Sequence, residues 1–168
     1  MTGEGAAVEG LSKDGSARRK GWWRSCYRIH MTSTVAYRGV VYPWQCDQMG
    51  HMNVMWYVGK FDEATWYFAS TIGLTPTYMS QTQRGMAGVQ QNITYKRELF
   101  AGAVVEIRSR IVSIADRKIV IAHEMRDVER DEVCATCELT AVHIDRSSRR
   151  AIPFPPAVRT RAESLLSS

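Results

Sequence analysis

From Asn53 to Ile72 the residues Val54, Tyr57, Val58, Phe61, Thr65, Phe68 and Ile72 recur at steps of three and four, the spacing of one buried helix face. Asn53 stands where an N-cap would accept a bond from an orphaned backbone N–H, and Gly73 stands just past the stop. A helix of this length must bury its stripe, and the rest of the chain offers strands to bury it against. Thr34 to Tyr42 is β-branched and aromatic. Four further segments, Met86–Arg97, Val104–Ile114, Ile119–Asp127 and Val133–Ile144, carry strand-like apolar patterns. Phe100–Ala103 and Ala115–Lys118 read as hairpin turns, and the stretch around Pro76 as a polar connection. Pro153, Pro155 and Pro156 end the sheet, and a short polar helix follows. One strand, one long helix and four antiparallel strands make an α+β domain with the helix packed on a curved sheet. Such a sheet leaves its other face and its edge strands in need of cover, which favours self-association.

Composition narrows the class of partner. The 168 residues suit one domain, and the net charge is +5. Residues 1–30 hold six basic and three acidic groups, so the remainder, with sixteen and fourteen, is only +2. The basic excess sits in the N-terminal stretch, which argues against a nucleic-acid surface on the domain. Residues 1–33, rich in Gly, Ala, Ser and charge, are expected to form a disordered tail, with 34–168 as the single domain. Neither a secretory signal nor a run of roughly 20 apolar residues is present, so the reading is a cytoplasmic protein without membrane contact.

The informative segment is Gln45-Cys46-Asp47-Gln48-Met49-Gly50-His51-Met52-Asn53, between the first strand and the helix. It brings a carboxylate, an imidazole and a carboxamide to a helix start. There the free N–H groups and the macrodipole favour a carbonyl oxygen acquiring negative charge. Gly50 would let the backbone approach a ligand closely, and Asp47 and His51 can move protons or activate water. These parts suit acyl transfer to water. The bland alternative is that Asp-x-x-Gly is a turn, with Asp47 bonding the backbone two residues on.

The motif Asp47-Gln48-Met49-Gly50-His51-Met52-Asn53, followed by Tyr57 and Phe61-Asp62-Glu63-Ala64, resembles that of the hotdog-fold acyl-CoA thioesterases of the 4-hydroxybenzoyl-CoA thioesterase-like superfamily. Ala135-Thr136-Cys137-Glu138, His143-Ile144-Asp145 and Pro153-Phe154-Pro155-Pro156 are most similar to the betainyl-CoA branch. The resemblance covers about Val35 to Pro156. It implies a five-stranded antiparallel sheet wrapped around the central helix. It also implies a homodimer joined sheet to sheet, often paired into a homotetramer, with active sites between subunits.

The implied activity is hydrolysis of a small or medium acyl-CoA to the free acid and CoA. Asp47 takes the place of the catalytic aspartate of the 4-hydroxybenzoyl enzymes, as general base or nucleophile. His51 and Asn53 match instead a His and Asn of related acyl-carrier-protein thioesterases, a pair that the 4-hydroxybenzoyl enzymes lack. No cofactor and no metal are implied. The alternatives are a hotdog acyl-thioester hydratase or dehydratase, and a non-catalytic acyl-CoA-binding regulator.

Other residues have core packing as their alternative. Tyr57, one turn from Asn53, either lines the acyl pocket as a substrate-binding residue beside Gly50 or packs in the core. Trp44, Trp56, Trp66 and Tyr67 are candidates for a cage around a quaternary ammonium, or for core. Cys134 and Cys137 lack a second ligand pair, and Cys46 reads as a small buried neighbour of Asp47. Glu63 is expected in solvent or at an interface, and His123 and His143 to be structural or exposed. Lys96, Arg97, Arg117 and Lys118 could meet the anionic end of CoA.

Overall fold

The computed structural model describes residues 33–166, all within one compact unit. The tail expected over 1–33 lies, apart from Ser33, outside the described residues. The order is β1 (Thr34–Val40), α1 (Val54–Thr71), α2 (Pro76–Thr82), β2 (Arg84–Tyr95), β3 (Val104–Ile114), β4 (Lys118–Asp127), β5 (Glu132–Asp145), β6 (Arg150–Ala151) and α3 (Pro156–Leu166). The main sheet runs β1-β3-β4-β5-β2, every neighbouring pair antiparallel, with the two-residue β6 added beside β5. The α+β reading and its five principal strands hold.

Helix α1 starts where the capping argument places it. The Asn53 side chain accepts from the Met55 N–H, and Gly73 takes the left-handed φ of +103° just beyond the end. At about 1.5 Å per residue, its 18 residues span roughly 27 Å. Phe61, Phe68 and Ile72 meet Ile107, Ile119, Ile121 and Met125 from the sheet in one continuous core. Fully burying each such side chain is worth about 1.5–3 kcal/mol before chain entropy is counted.

Four expectations need correction. Val54 and Val58 are exposed, and the buried stripe takes Lys60, Ala64 and Ala69 in their place. Lys60 is only 3 % exposed, its Nζ donating to Tyr37 Oη at 3.0 Å and to the Val40 carbonyl at 3.4 Å. Its four methylenes cross the apolar layer and deliver the ammonium to oxygens on β1, which is how a cation sits in a core stripe. The stretch at Pro76 is a helix, α2, with Thr75 capping Tyr78 and Pro76 in its first turn.

Phe100–Ala103 is not a hairpin turn. It carries the chain from β2 at one edge of the sheet to β3, with β5 and β4 lying between them, and its Gly102 and Ala103 pair with Val41. Ala115–Lys118 does close a hairpin, with the Ala115 N–H on the Lys118 carbonyl at 2.8 Å.

Two buried histidines tie the layers together. Thr65 Oγ1 donates its proton to the Phe61 carbonyl at 2.8 Å, so it can only accept from His123 Nε2, 3.1 Å away. Burial keeps the ring neutral, so His123 Nδ1 accepts from the Ser109 hydroxyl at 2.7 Å and the tautomer is Nε2–H. His143 is placed likewise between the Pro153 carbonyl at 2.8 Å and the Tyr78 hydroxyl at 2.9 Å, joining β5, α2 and the C-terminal segment. Both are structural.

Candidate active site

The loop before α1 is pinned on both sides. Asp47 N–H donates to the His51 carbonyl and Asn53 N–H to the Gln45 carbonyl, a short ladder around the Cys46–Met52 bridge. Met52 N–H reaches across to the Leu99 carbonyl at 2.7 Å, fastening the loop to the segment after β2. At its tip Gly50 N–H closes a turn on the Asp47 carbonyl at 2.9 Å, and Gly50 adopts φ +82° with open space where a Cβ would stand.

Asp47 is the centre of the loop. Its Oδ1 accepts from the Met49 N–H and its Oδ2 from the Asn53 side-chain amide, each at 2.9 Å. The turn reading is therefore correct, and it does not compete with a chemical role, because the same bonds hold the carboxylate in place. The Met49 N–H foremost, then the Asn53 amide, lower the Asp47 carboxyl below its ordinary value, with the charge of His51 adding to them against desolvation. The group is an anion at neutral pH and half-exposed, open to water.

His51 does not join Asp47 and Asn53 by a hydrogen bond. Its Nε2 lies 3.6 Å from Glu98 Oε1, a carboxylate that sequence reasoning did not single out because it arrives from the segment after β2, 47 residues along the chain. The N–H groups of Gly50 to Asn53, expected to face a thioester, are mostly spent: those of Gly50, Met52 and Asn53 bond protein carbonyls. Among the described residues the N–H groups of His51 and Val54 have no acceptor, the second at the positive end of α1.

Both border a groove of about 350 Å3, walled further by Tyr57, Tyr95, Lys96 and Arg97. Tyr57 is a wall and a core residue together. It is buried, its ring meets Tyr95 edge-on at 5.1 Å, and desolvation first, with nearby charges, pushes its hydroxyl up to about 12. Lys96 and Arg97 thus come to the groove, whereas Arg117 and Lys118 lie at the β3–β4 turn.

The remaining candidates are elsewhere. Cys46 is half-buried with its Sγ 4.0 Å from the Tyr42 carbonyl, and Glu63 is exposed. Cys134 and Cys137 are buried, and burial raises both thiols, Cys137 to about 11, which keeps them protonated and unreactive. Trp44 stacks on Tyr42 at 4.4 Å beside the loop, Trp56 packs against the core, and Trp66 lies ten residues further along α1, about 15 Å away. Among the described residues, Trp44, Trp56 and Trp66 do not gather into one cage within the chain. Among the described residues no three His, Cys, Asp or Glu side chains gather as a metal ion would need.

Comparison with known proteins agrees with this architecture. A family model described as the thioesterase-like superfamily matches residues 41–161, and the chain belongs to that superfamily. It is 27 % identical over 119 residues to the L-carnitine dehydrogenase/betainyl-CoA thioesterase of Agrobacterium fabrum, covering 71 % of this chain. The chain spans only 24 % of that longer relative's length. It is 24 % identical to the betainyl-CoA thioesterase of Pseudomonas aeruginosa, covering 77 % of this chain and 81 % of the relative. Among solved structures, a hypothetical protein of Staphylococcus aureus characterised in complex with CoA superposes with TM-score 0.76 at 18 % identity, covering 82 % of this chain and 87 % of that one. The fold is the hotdog fold. The family model and the two relatives' names point to the thioester hydrolases, the enzyme class expected from the motif.

Proposed function

We propose that this member of the thioesterase-like superfamily hydrolyses a small or medium acyl-CoA to the free acid and CoA, with Asp47 as the general base. The observation that carries the reading is the anionic Asp47 carboxylate, braced by Met49 and Asn53 at the start of α1 beside an open groove. The thioester carbonyl lies in that groove with its oxygen toward the N–H groups of His51 and Val54. Asp47 takes a proton from water, the oxygen adds to the carbonyl carbon, and the helix N-terminus stabilises the oxyanion. Collapse breaks the C–S bond and releases CoA thiolate, which takes up a proton. Asn53 holds the base, and His51, poised against Glu98, orients the thioester.

The rest of the substrate follows from charge and shape. Lys96 and Arg97 face the groove mouth, where the phosphates of CoA would pass, and neither has an ion-pair partner among the described residues. β2 is a twelve-residue edge strand whose central residues are exposed, a surface suited to joining a second copy sheet to sheet. The working unit is then a homodimer, or two paired as a homotetramer, built from residues 34–168. No helix among the described residues is long and apolar enough to cross a membrane. An acyl-CoA substrate and reduced thiols fit the cytoplasm.

The test is release of free CoA thiol from short straight-chain, aromatic, long-chain and betainyl thioesters, with Asp47→Asn alongside. We expect turnover for one class, reduced about 10²–10⁴-fold in the variant at unchanged thermal stability. Near-normal turnover by folded Asp47→Asn would sink the mechanism. Enoyl hydration, or thioester binding without turnover, would replace hydrolysis by the hydratase or regulator reading.

A further inference from the structure

At the start of β2, the length of the strand away from Lys96 and Arg97, a cavity of about 570 Å3 opens between α2 and the turn that follows β5. It shares no residue with the groove at the helix start. Arg146, Ser147 and Arg149 bring the turn to its rim, and Met79, Met86 and Ile144 supply apolar wall. Gly85 keeps it open. A Cβ there would lie 3.8 Å from Arg146 Cδ and 3.9 Å from Met79 Sδ, so a longer side chain would enter the space between them.

The charge in this cavity is uncompensated. Arg146 and Arg149 are its only charged residues, and among the described residues neither guanidinium has an ion pair or hydrogen bond. Asp145, next in the chain, is already taken. Its Oδ1 accepts from the Ser147 and Ser148 N–H groups at 2.9 and 2.8 Å, and Arg84, its partner in register, adds a stabilising charge. The turn also holds Arg149 in a left-handed conformation, φ +57°, that glycine would adopt at lower cost. Gln83, on the α2 side, does the same at φ +56° and anchors the turn, its carbonyl accepting from the Arg146 N–H at 2.9 Å. A long cation kept where glycine fits better, beside a second unpaired guanidinium, points to an anion between them. Asp62 lines the neighbouring pocket beyond Trp66 and Met86, so repulsion holds that anion at the turn.

We propose that this cavity binds a phosphate monoester, its dianionic phosphate held between Arg146 and Arg149 and its organic part resting on Met79, Met86 and Ile144. One guanidinium satisfies a carboxylate through a two-pronged contact, whereas a pair of them matches the double charge of a monoester near neutral pH. A bare phosphate would leave the apolar wall uncovered, which is why the ligand carries an organic body. Thirteen residues of helix, about 20 Å, separate Asn53 from Trp66 on the cavity's helix wall, so the bound phosphate stays clear of the helix start. The affinity does not rest on the thioesterase reading. Two sources carry this chemistry: a free nucleotide monophosphate, and the 3′-phosphate at the far end of CoA.

Calorimetric titration of AMP into the full chain, beside adenosine and inorganic phosphate, tests the site. We expect saturable binding of AMP, none of adenosine, and phosphate weaker than AMP by about tenfold. Arg146→Gln and Arg149→Gly should each weaken AMP by about tenfold or more. Arg149→Gly carries the sharper readout, because glycine suits the left-handed backbone. Its melting temperature should equal or exceed that of wild type while binding falls, which damage to the fold could not produce. Absence of saturable AMP binding, equal affinity for adenosine, or AMP binding that both variants leave unmoved overturns the site. Phosphate binding as tight as AMP overturns the role given to the apolar wall. CoA and dephospho-CoA then separate the sources. CoA binding weakened by Arg149→Gly, with dephospho-CoA unaffected, assigns the site to the 3′-phosphate. CoA binding that ignores Arg149, while AMP binding needs it, assigns the site to a free nucleotide.

Discussion

The side-chain amide of Asn53 donates to Asp47 Oδ2 at 2.9 Å while its carbonyl oxygen accepts from the Met55 N–H at 3.0 Å. An ionised carboxylate only accepts and a backbone N–H only donates, so the amide can stand only one way round. One side chain therefore caps α1 and braces the candidate base. The positive end of the helix and the carboxylate keep a fixed relation, whichever acyl group arrives.

Asn53→Asp separates these two roles. A carboxylate at position 53 still accepts from Met55 N–H, so the cap persists and the helix keeps its start. It withdraws the donor from Asp47 and sets a like charge against it, which raises the Asp47 carboxyl from its lowered position. The acid limb of kcat against pH should move upward, with the melting temperature at neutral pH nearly unchanged. An unmoved limb would show that Asp47 is not the group titrating.

Acid stability has a different origin. Burial lowers His123 to about 4, from an ordinary 6.5, in its pocket between Ser109 and Thr65. The unfolded chain then binds more protons than the folded one between these values, so stability rises with pH across that window and is lost as pH falls through it. The loss by pH 4 is on the order of 3 kcal/mol from this residue. Asp47, lowered from 3.8, contributes stability above that value, which is lost only as pH falls further, through its folded-state pKa. Urea unfolding of wild type and His123→Gln at steps from pH 7 to pH 4 checks this. The variant should show a flatter slope, starting from a lower stability at pH 7.

Much of this is legible in the sequence, for physical reasons that differ by residue. The start of α1 was readable because a cap and a periodic stripe are local signals, as at Asn53 and Phe61. Lys60 was not, because periodicity counts apolar residues and cannot see a lysine whose head finds Tyr37 and Val40 across the core. Thr75-Pro76 carries a cap and a first-turn proline, a helix signal that the short polar span after it masks. The crossover at Phe100–Ala103 depends on strand order, which turn chemistry does not encode.

The fate of the water oxygen distinguishes the two roles open to Asp47. Both its oxygens already accept a hydrogen bond, and a lowered pKa makes a carboxylate a weaker nucleophile, which favours proton transfer over attack. In a single turnover in H2 18O, the label should enter the product acid and leave the peptide carrying Asp47 unlabelled. Label in Asp47, with unlabelled acid from the first turnover, would establish an anhydride and make Asp47 the nucleophile.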